Sequence, residues 1–294
     1  MGIDGSDRRT ILLLDSPLPG TSLRPSRIYP LSTISSDGKR LAVSAFLGDG
    51  KTEHAPWGLL VFDLENASVE LVLHGPTWCN MHAQYCRSPD AEAGRDILVQ
   101  ENHDSVCSPT GDIVQLVGGA GADVHVIRDD GTNLRTMPWG RDGVEFCQGH
   151  QCWRGRSARA ITSTHEAGPP PVQRLMEAAP VPEAGHLGRR SPGSVRNDLT
   201  RQFPQPGFCH FGTDIEGRRL VSDCAPFELG GRLFLAELPA GREDPVGKFT
   251  YLLNPRCSGR KESHIHPFLS PDGSAAFFNS DEGGVHRAYM VRGW

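Results

Sequence analysis

The chain has 294 residues and a formal net charge of −5 at pH 7, with 37% hydrophobic and 22% charged residues. This balance lacks the basic footprint of a nucleic-acid-binding surface, and no apolar run is long enough to span a bilayer as a helix, so neither nucleic acid nor membrane is an expected partner. The 34 glycines and 23 prolines are spread along the chain, more than a helical protein tolerates; they predict an all-β protein of short strands, read as one domain over residues 1–294.

In chain order, Ile11-Leu12-Leu13-Leu14 comes first. It is closed by Asp15 and too short for a signal-peptide core, so the expected location is the cytoplasm. The run itself reads as a strand that pairs with the last repeating unit. The first clear unit is the turn Ser35-Ser36-Asp37-Gly38 with apolar strands Leu41 to Phe46 and Gly58 to Asp63. A second begins at Asn80-Met81-His82, passes Ser88-Pro89-Asp90, and continues in strands Asp96 to Gln100 and Val124 to Arg128. The third opens at Gly149-His150-Gln151-Cys152-Trp153 and runs to Ser163. Val172 to Ala179 is the one segment with helical character, and the proline-rich stretch at about 166–204 reads as a loop insertion. The fourth unit is Phe208-Cys209-His210-Phe211, the turn Asp214 to Gly217, and strands Arg219 to Ser222 and Arg232 to Ala236. The fifth runs from Ser263-His264-Ile265-His266 through Ser270-Pro271-Asp272-Gly273 to Ala275 to Phe278. Recurring turn-and-strand units argue for small antiparallel sheets arranged radially, a β-propeller of about five visible blades.

His82, His150, His210 and His264 each precede the turn and strand of their own unit. Equivalent positions of successive blades line one mouth of a propeller's channel, so these four imidazoles are expected to converge. In an extended segment His264 and His266 also project to one face, the geometry that a divalent metal needs. The eight cysteines contain no C-x-x-C pair, which excludes the usual zinc-ribbon and thioredoxin-like readings. Buried free thiols are expected, with Cys147, Cys152 and Cys209, which flank histidines, open as thiolate ligands or nucleophiles.

His150-Gln151-Cys152-Trp153, Cys209-His210 before Asp214-Ile215-Glu216-Gly217, Ser222-Asp223-Cys224-Ala225-Pro226, and His264-Ile265-His266-Pro267 leading to Asn279-Ser280-Asp281-Glu282-Gly283 together resemble oligogalacturonate lyases. These are cytoplasmic seven-bladed propeller enzymes of pectin breakdown. The resemblance implies a manganese ion, with zinc or another divalent metal as the alternative, held by His210, His264 and His266. The family's glutamine ligand falls on Lys261, its proton-abstracting histidine on His150, and the arginine partner of that histidine on Asp123. Arg87, Arg128 and Arg154 are then the candidates for neutralising substrate charge, and His82, Arg87, His103, Asp123, Arg154 and Lys261 are the candidate contacts to an acidic oligosaccharide. The implied reaction is β-elimination on a short uronate-containing saccharide. A metal-dependent isomerase, epimerase or hydrolase on the same scaffold is one alternative, and a non-catalytic interaction propeller is another, although a pure scaffold has no use for convergent imidazoles.

Overall fold

The computed structural model describes residues 4–119, 121–139, 145–166, 172–182, 196–203, 207–226, 229–241, 244–260 and 263–294. Among the described residues its strands form five larger antiparallel units that follow one another along the chain, beside a small two-stranded sheet of Val106–Cys107 and Ile113–Gln115. The first sheet contains Arg27–Ile34, Arg40–Phe46, Trp57–Asp63 and Ser68–Gly75, in that order. Gln84–Tyr85, Asp96–Asn102, Ala122–Arg128 and Arg135–Thr136 make the second, and Glu145–Trp153, Ala160–Glu166, Val172–Ala178 and Arg196–Asp198 the third. These two are joined by the pairing of Cys147 with Ala122 and by Val181–Pro182 against Arg135–Thr136. The fourth sheet is Phe208–Thr213, Arg219–Cys224, Arg232–Glu237 and Phe249–Leu253, and the fifth is Phe268–Leu269, Ala275–Ser280 and Arg287–Arg292.

The same turn chemistry opens several units. Ser35 Oγ donates to Asp37 Oδ1 at 2.6 Å and Gly38 N–H closes on Ser35 O at 2.9 Å. Ser270 and Asp272 repeat the contact at 2.6 Å, with Gly273 N–H on Ser270 O at 2.8 Å. Gly38 and Gly273 have φ of 73° and 68°, a left-handed backbone in which glycine has no steric penalty.

Each sheet packs its face on the next. Phe46, Trp57 and Leu59 of the first meet Tyr85, Ile97 and Val99 of the second. Leu98, Val124 and Val126 of the second meet Trp153, Ala160 and Met176 of the third. Ile161 and Leu175 then meet Phe208 and Leu220, and Val221 and Leu233 meet Leu269 and Phe278. Strands apolar on both faces follow from this stacking, because every sheet between two others is covered twice. The predicted radial order of five units is therefore present in the packing.

Two expectations are corrected. Val172–Ala178 is a strand, paired residue for residue with Ala160–Glu166. Its Gln, Arg, Leu, Met, Glu and Ala are good helix formers, but propensities of a few tenths of a kcal/mol yield to seven ladder pairs, burial of Leu175 and Ala178, and a buried Glu177 held by Arg154 and Arg159, each at 2.7 Å. The described parts of 166–204 thus carry strands as well as connections. Ile11 to Leu14 is not a strand: Leu12 and Leu14, with the buried Leu18, pack on Ala45, Leu47, Leu60 and Val69, covering the free face of the first sheet rather than joining the last.

Candidate metal centre

The predicted histidines meet. Ring centroids lie 6.4 Å apart for His82 and His150, 4.7 Å for His150 and His210, 5.5 Å for His210 and His264, and 4.1 Å for His210 and His266. His82, His264 and His266 stand just before the first strand of their sheets, whereas His150 and His210 lie within theirs. His150 and His210 sit within register shifts, between Cys147 and Gln151 and between Phe208 and Phe211. A bulge takes a residue off the ladder and re-aims its side chain, so both imidazoles turn toward the shared mouth. Gly149 makes the first bulge possible: its φ is 80°, and a Cβ there would lie 2.4 Å from Gln100 Nε2.

The paired histidines converge by a different route from the predicted one. Residues 263–267 are not a strand, although Ser263, Ile265, Pro267 and Leu269 are buried in alternation with exposed His266 and Phe268. His266 has φ of 42° and His82 of 48°, conformations that side-chain-bearing residues avoid and that cluster at functional sites. The His264 and His266 rings end 5.2 Å apart.

His210 is the centre of the cluster. The fully buried Asp223 accepts its backbone N–H at 2.8 Å and pairs with its Nδ1 at 2.7 Å, leaving Nε2 as the nitrogen that faces the mouth. Ligand atoms of His210, His264 and His266 all lie within 4.8 Å of one another, as do those of His150, Cys209 and His210. Burial, followed by the neighbouring imidazoles, pushes His150 down to about 3 and His266 down to about 4, and burial also lowers His264 and His82. These rings are neutral at pH 7, with lone pairs available to a cation. His82 Nδ1 meets Gly149 O at 3.0 Å. Convergent imidazoles, one of them held by a carboxylate behind it, fit a divalent ion. Of these, His150, His210 and His264 line a pocket of about 150 Å³ with Cys209, Cys257, Ser263 and Ile265. A larger cleft of about 780 Å³, between 22–26 and 47–56, contains no cluster of metal-ligating groups among the described residues.

Other predicted contacts lie elsewhere. Lys261 is outside the described residues. His103 Nε2 pairs with Asp123 Oδ2 at 2.9 Å, in a separate network where Glu101 stands opposite Asp123 and 3.3 Å from His125 Nε2. Asp123 therefore sits in this separate network rather than with His150 and His210. Arg154 is not free for substrate: its guanidinium donates to Gly217 O, Pro239 O and the buried Glu177. Arg128 pairs with Glu92 and approaches Asp96, and Arg87 is exposed, within electrostatic reach of buried Cys152. Among the described residues, no hydrogen bond ties Gln148 or the side chain of Gln151 to His150. Of the three cysteines left open as thiolate ligands, Cys209 reaches the pocket beside its histidine, while Asp223, in the Ser222-to-Pro226 motif, and His286, which interacts electrostatically with His264 and His266, are site residues that the sequence did not mark.

No family model and no curated protein matches the sequence. Among solved structures, the chain is similar to an oligogalacturonate lyase in complex with manganese, with a TM-score of 0.67 and 17% identity over 97% of this chain and 68% of that one. It is similar to oligogalacturonate lyase from Vibrio parahaemolyticus at a TM-score of 0.65 and 15% identity, over 97% and 68% of the two chains. The β-propeller domain of the Trilobed protease from Pyrococcus furiosus aligns at 0.52 and 13% identity, over 90% and 67%. With the face-to-face stacking of its sheets, these likenesses show that the chain has the β-propeller fold.

Proposed function

We propose that this propeller is a metal-dependent lyase that cleaves short uronate-containing oligosaccharides by β-elimination. The convergence of His210, His264 and His266 beside His150 carries this reading. His210, His264 and His266 hold a divalent cation, manganese in the first instance, and Asp223 orients His210 from behind. When bound, the cation supplies a Lewis acid for the uronate carboxylate, whose neighbouring proton is barely acidic while the negative charge is unshielded.

His150 is a neutral base on the strand bulge of the preceding sheet, 4.7 Å from the His210 ring. It accepts the proton next to the carboxylate; the released electron pair forms the new carbon–carbon double bond, and the glycosidic oxygen leaves from the next carbon and takes up a proton. A pocket of about 150 Å³ has room for an ion and one carboxylate, with the sugar rings lying across the open mouth where His266 is exposed. Similarity to an oligogalacturonate lyase in complex with manganese adds support at the level of the fold. The test is to supply purified protein and manganese with di- and trigalacturonate and follow the ultraviolet absorbance of an unsaturated uronate. Product formation is expected; metal-loaded protein that yields no unsaturated product from any uronate oligosaccharide refutes the reading.

A further inference from the structure

We propose that His150, Cys209 and His210 form a second, thiolate-containing metal position, which takes a thiophilic ion such as zinc and competes with the three-histidine position for the single free nitrogen of His210. Cys209 Sγ lies 3.7 Å from His150 Nδ1, 4.0 Å from His150 Nε2 and 3.8 Å from His210 Nε2. A tetrahedral zinc ion, at its ordinary bond lengths to sulfur and imidazole nitrogen, sets such S···N spacings at about 3.5 Å. The three side chains need only a small closing movement to ligate.

The thiol's position has a local cause. The bulge between Phe208 and Phe211 takes Cys209 and His210 off the ladder together, and both reach the pocket. Cys209 is the one cysteine that is not fully buried. Sulfur also separates the two positions chemically: a thiolate selects zinc or another soft ion, whereas manganese is better served without one. On binding, the Cys209 thiol releases its proton to solvent and no electrons are transferred.

Competition follows from Asp223. It occupies His210 Nδ1 at 2.7 Å, so His210 offers one lone pair, and one lone pair serves one ion. A thiophilic ion in the Cys209 position therefore excludes manganese from the other. It also occupies His150, and on the lyase reading above, on which this one consequence rests, it inhibits.

Cobalt(II), a spectroscopic stand-in for zinc, tests the proposal without substrate. The wild-type chain is expected to bind one cobalt with an intense near-ultraviolet thiolate-to-cobalt charge-transfer band, and to lose bound manganese as zinc is added. Cys209→Ser should lose the band while retaining manganese, which also reports that the variant is folded. His150→Gln should weaken the band without touching the sulfur. A wild-type cobalt protein with no thiolate band, a band that persists in Cys209→Ser, or simultaneous binding of manganese and zinc at the cluster overturns the proposal. Because these readouts need no turnover, an absence of lyase activity leaves them decisive.

Discussion

The buried carboxylate of Asp223 holds His210 at two points, the backbone N–H at 2.8 Å and ring Nδ1 at 2.7 Å. One acidic side chain thereby sets both the ring's orientation and which nitrogen faces the mouth. In Asp223→Asn the amide NH₂ can face Nδ1 and favour the wrong tautomer. Removing such an outer partner typically weakens metal binding by about 10- to 100-fold. Calorimetric titration with manganese checks this, and an unchanged affinity would show that Asp223 serves the fold alone.

Replacing His264 and His266 together by Ala should abolish stoichiometric manganese binding with the far-ultraviolet circular dichroism unchanged. Both residues stand outside the strand ladder, ahead of Phe268–Leu269, so their loss leaves the sheets paired. Metal analysis after dialysis is the measurement; full retention of manganese removes the three-histidine site.

His150→Ala should lower turnover on a uronate oligosaccharide by about two to four orders of magnitude, the usual effect of removing a general base. Manganese binding should persist, since His150 is not among the three ligands assigned to that ion. Equal turnover in the variant would transfer the base to another group.

The metal-free protein should lose stability as the pH falls below about 6.5, the ordinary histidine value. His150 and His266 are depressed to about 3 and about 4 by burial and neighbouring imidazoles. Above pH 6.5 they are neutral in both folded and unfolded chains. Below it the unfolded chain binds protons that the folded chain refuses, so their stabilising contribution is lost as the pH falls through about 4 toward 3. Thermal melts between pH 7.5 and 4, conditions chosen for the experiment on the order of these values, should show a slope that flattens in His150→Gln; equal slopes would contradict the assignment.

Glu177→Ala should destabilise the fold by about 3–5 kcal/mol, the usual effect of removing one partner of a buried ion pair. Glu177 is fully buried and holds Arg154 and Arg159 at 2.7 Å each. Arg154 also donates to Gly217 O, so the third and fourth sheets should loosen together. Chemical denaturation measures the change, and a loss well under 1 kcal/mol would mean that solvent reaches these guanidinium groups.

The sequence by itself determined the features governed by neighbours along the chain. Ser-x-Asp-Gly turns close through their own side chains and glycine's left-handed backbone, so the recurrence of turn and strand was legible, and with it the β class and radial order. The His264-Ile265-His266 spacing and the appearance of a histidine at the start of successive units marked most of the cluster. Tertiary structure decided what depends on partners distant in sequence. Val172–Ala178 became a strand because Ala160–Glu166 lay alongside it, against its own propensity. Arg154 was drawn away from substrate by Glu177 and the Gly217 turn. Bulges at Cys147–Gln151 and Phe208–Phe211 turned His150 and His210 inward and brought the Cys209 sulfur within 3.8 Å of His210 Nε2. A bulge is a mismatch between two strands, so neither strand's sequence alone reveals where the extra residue will point.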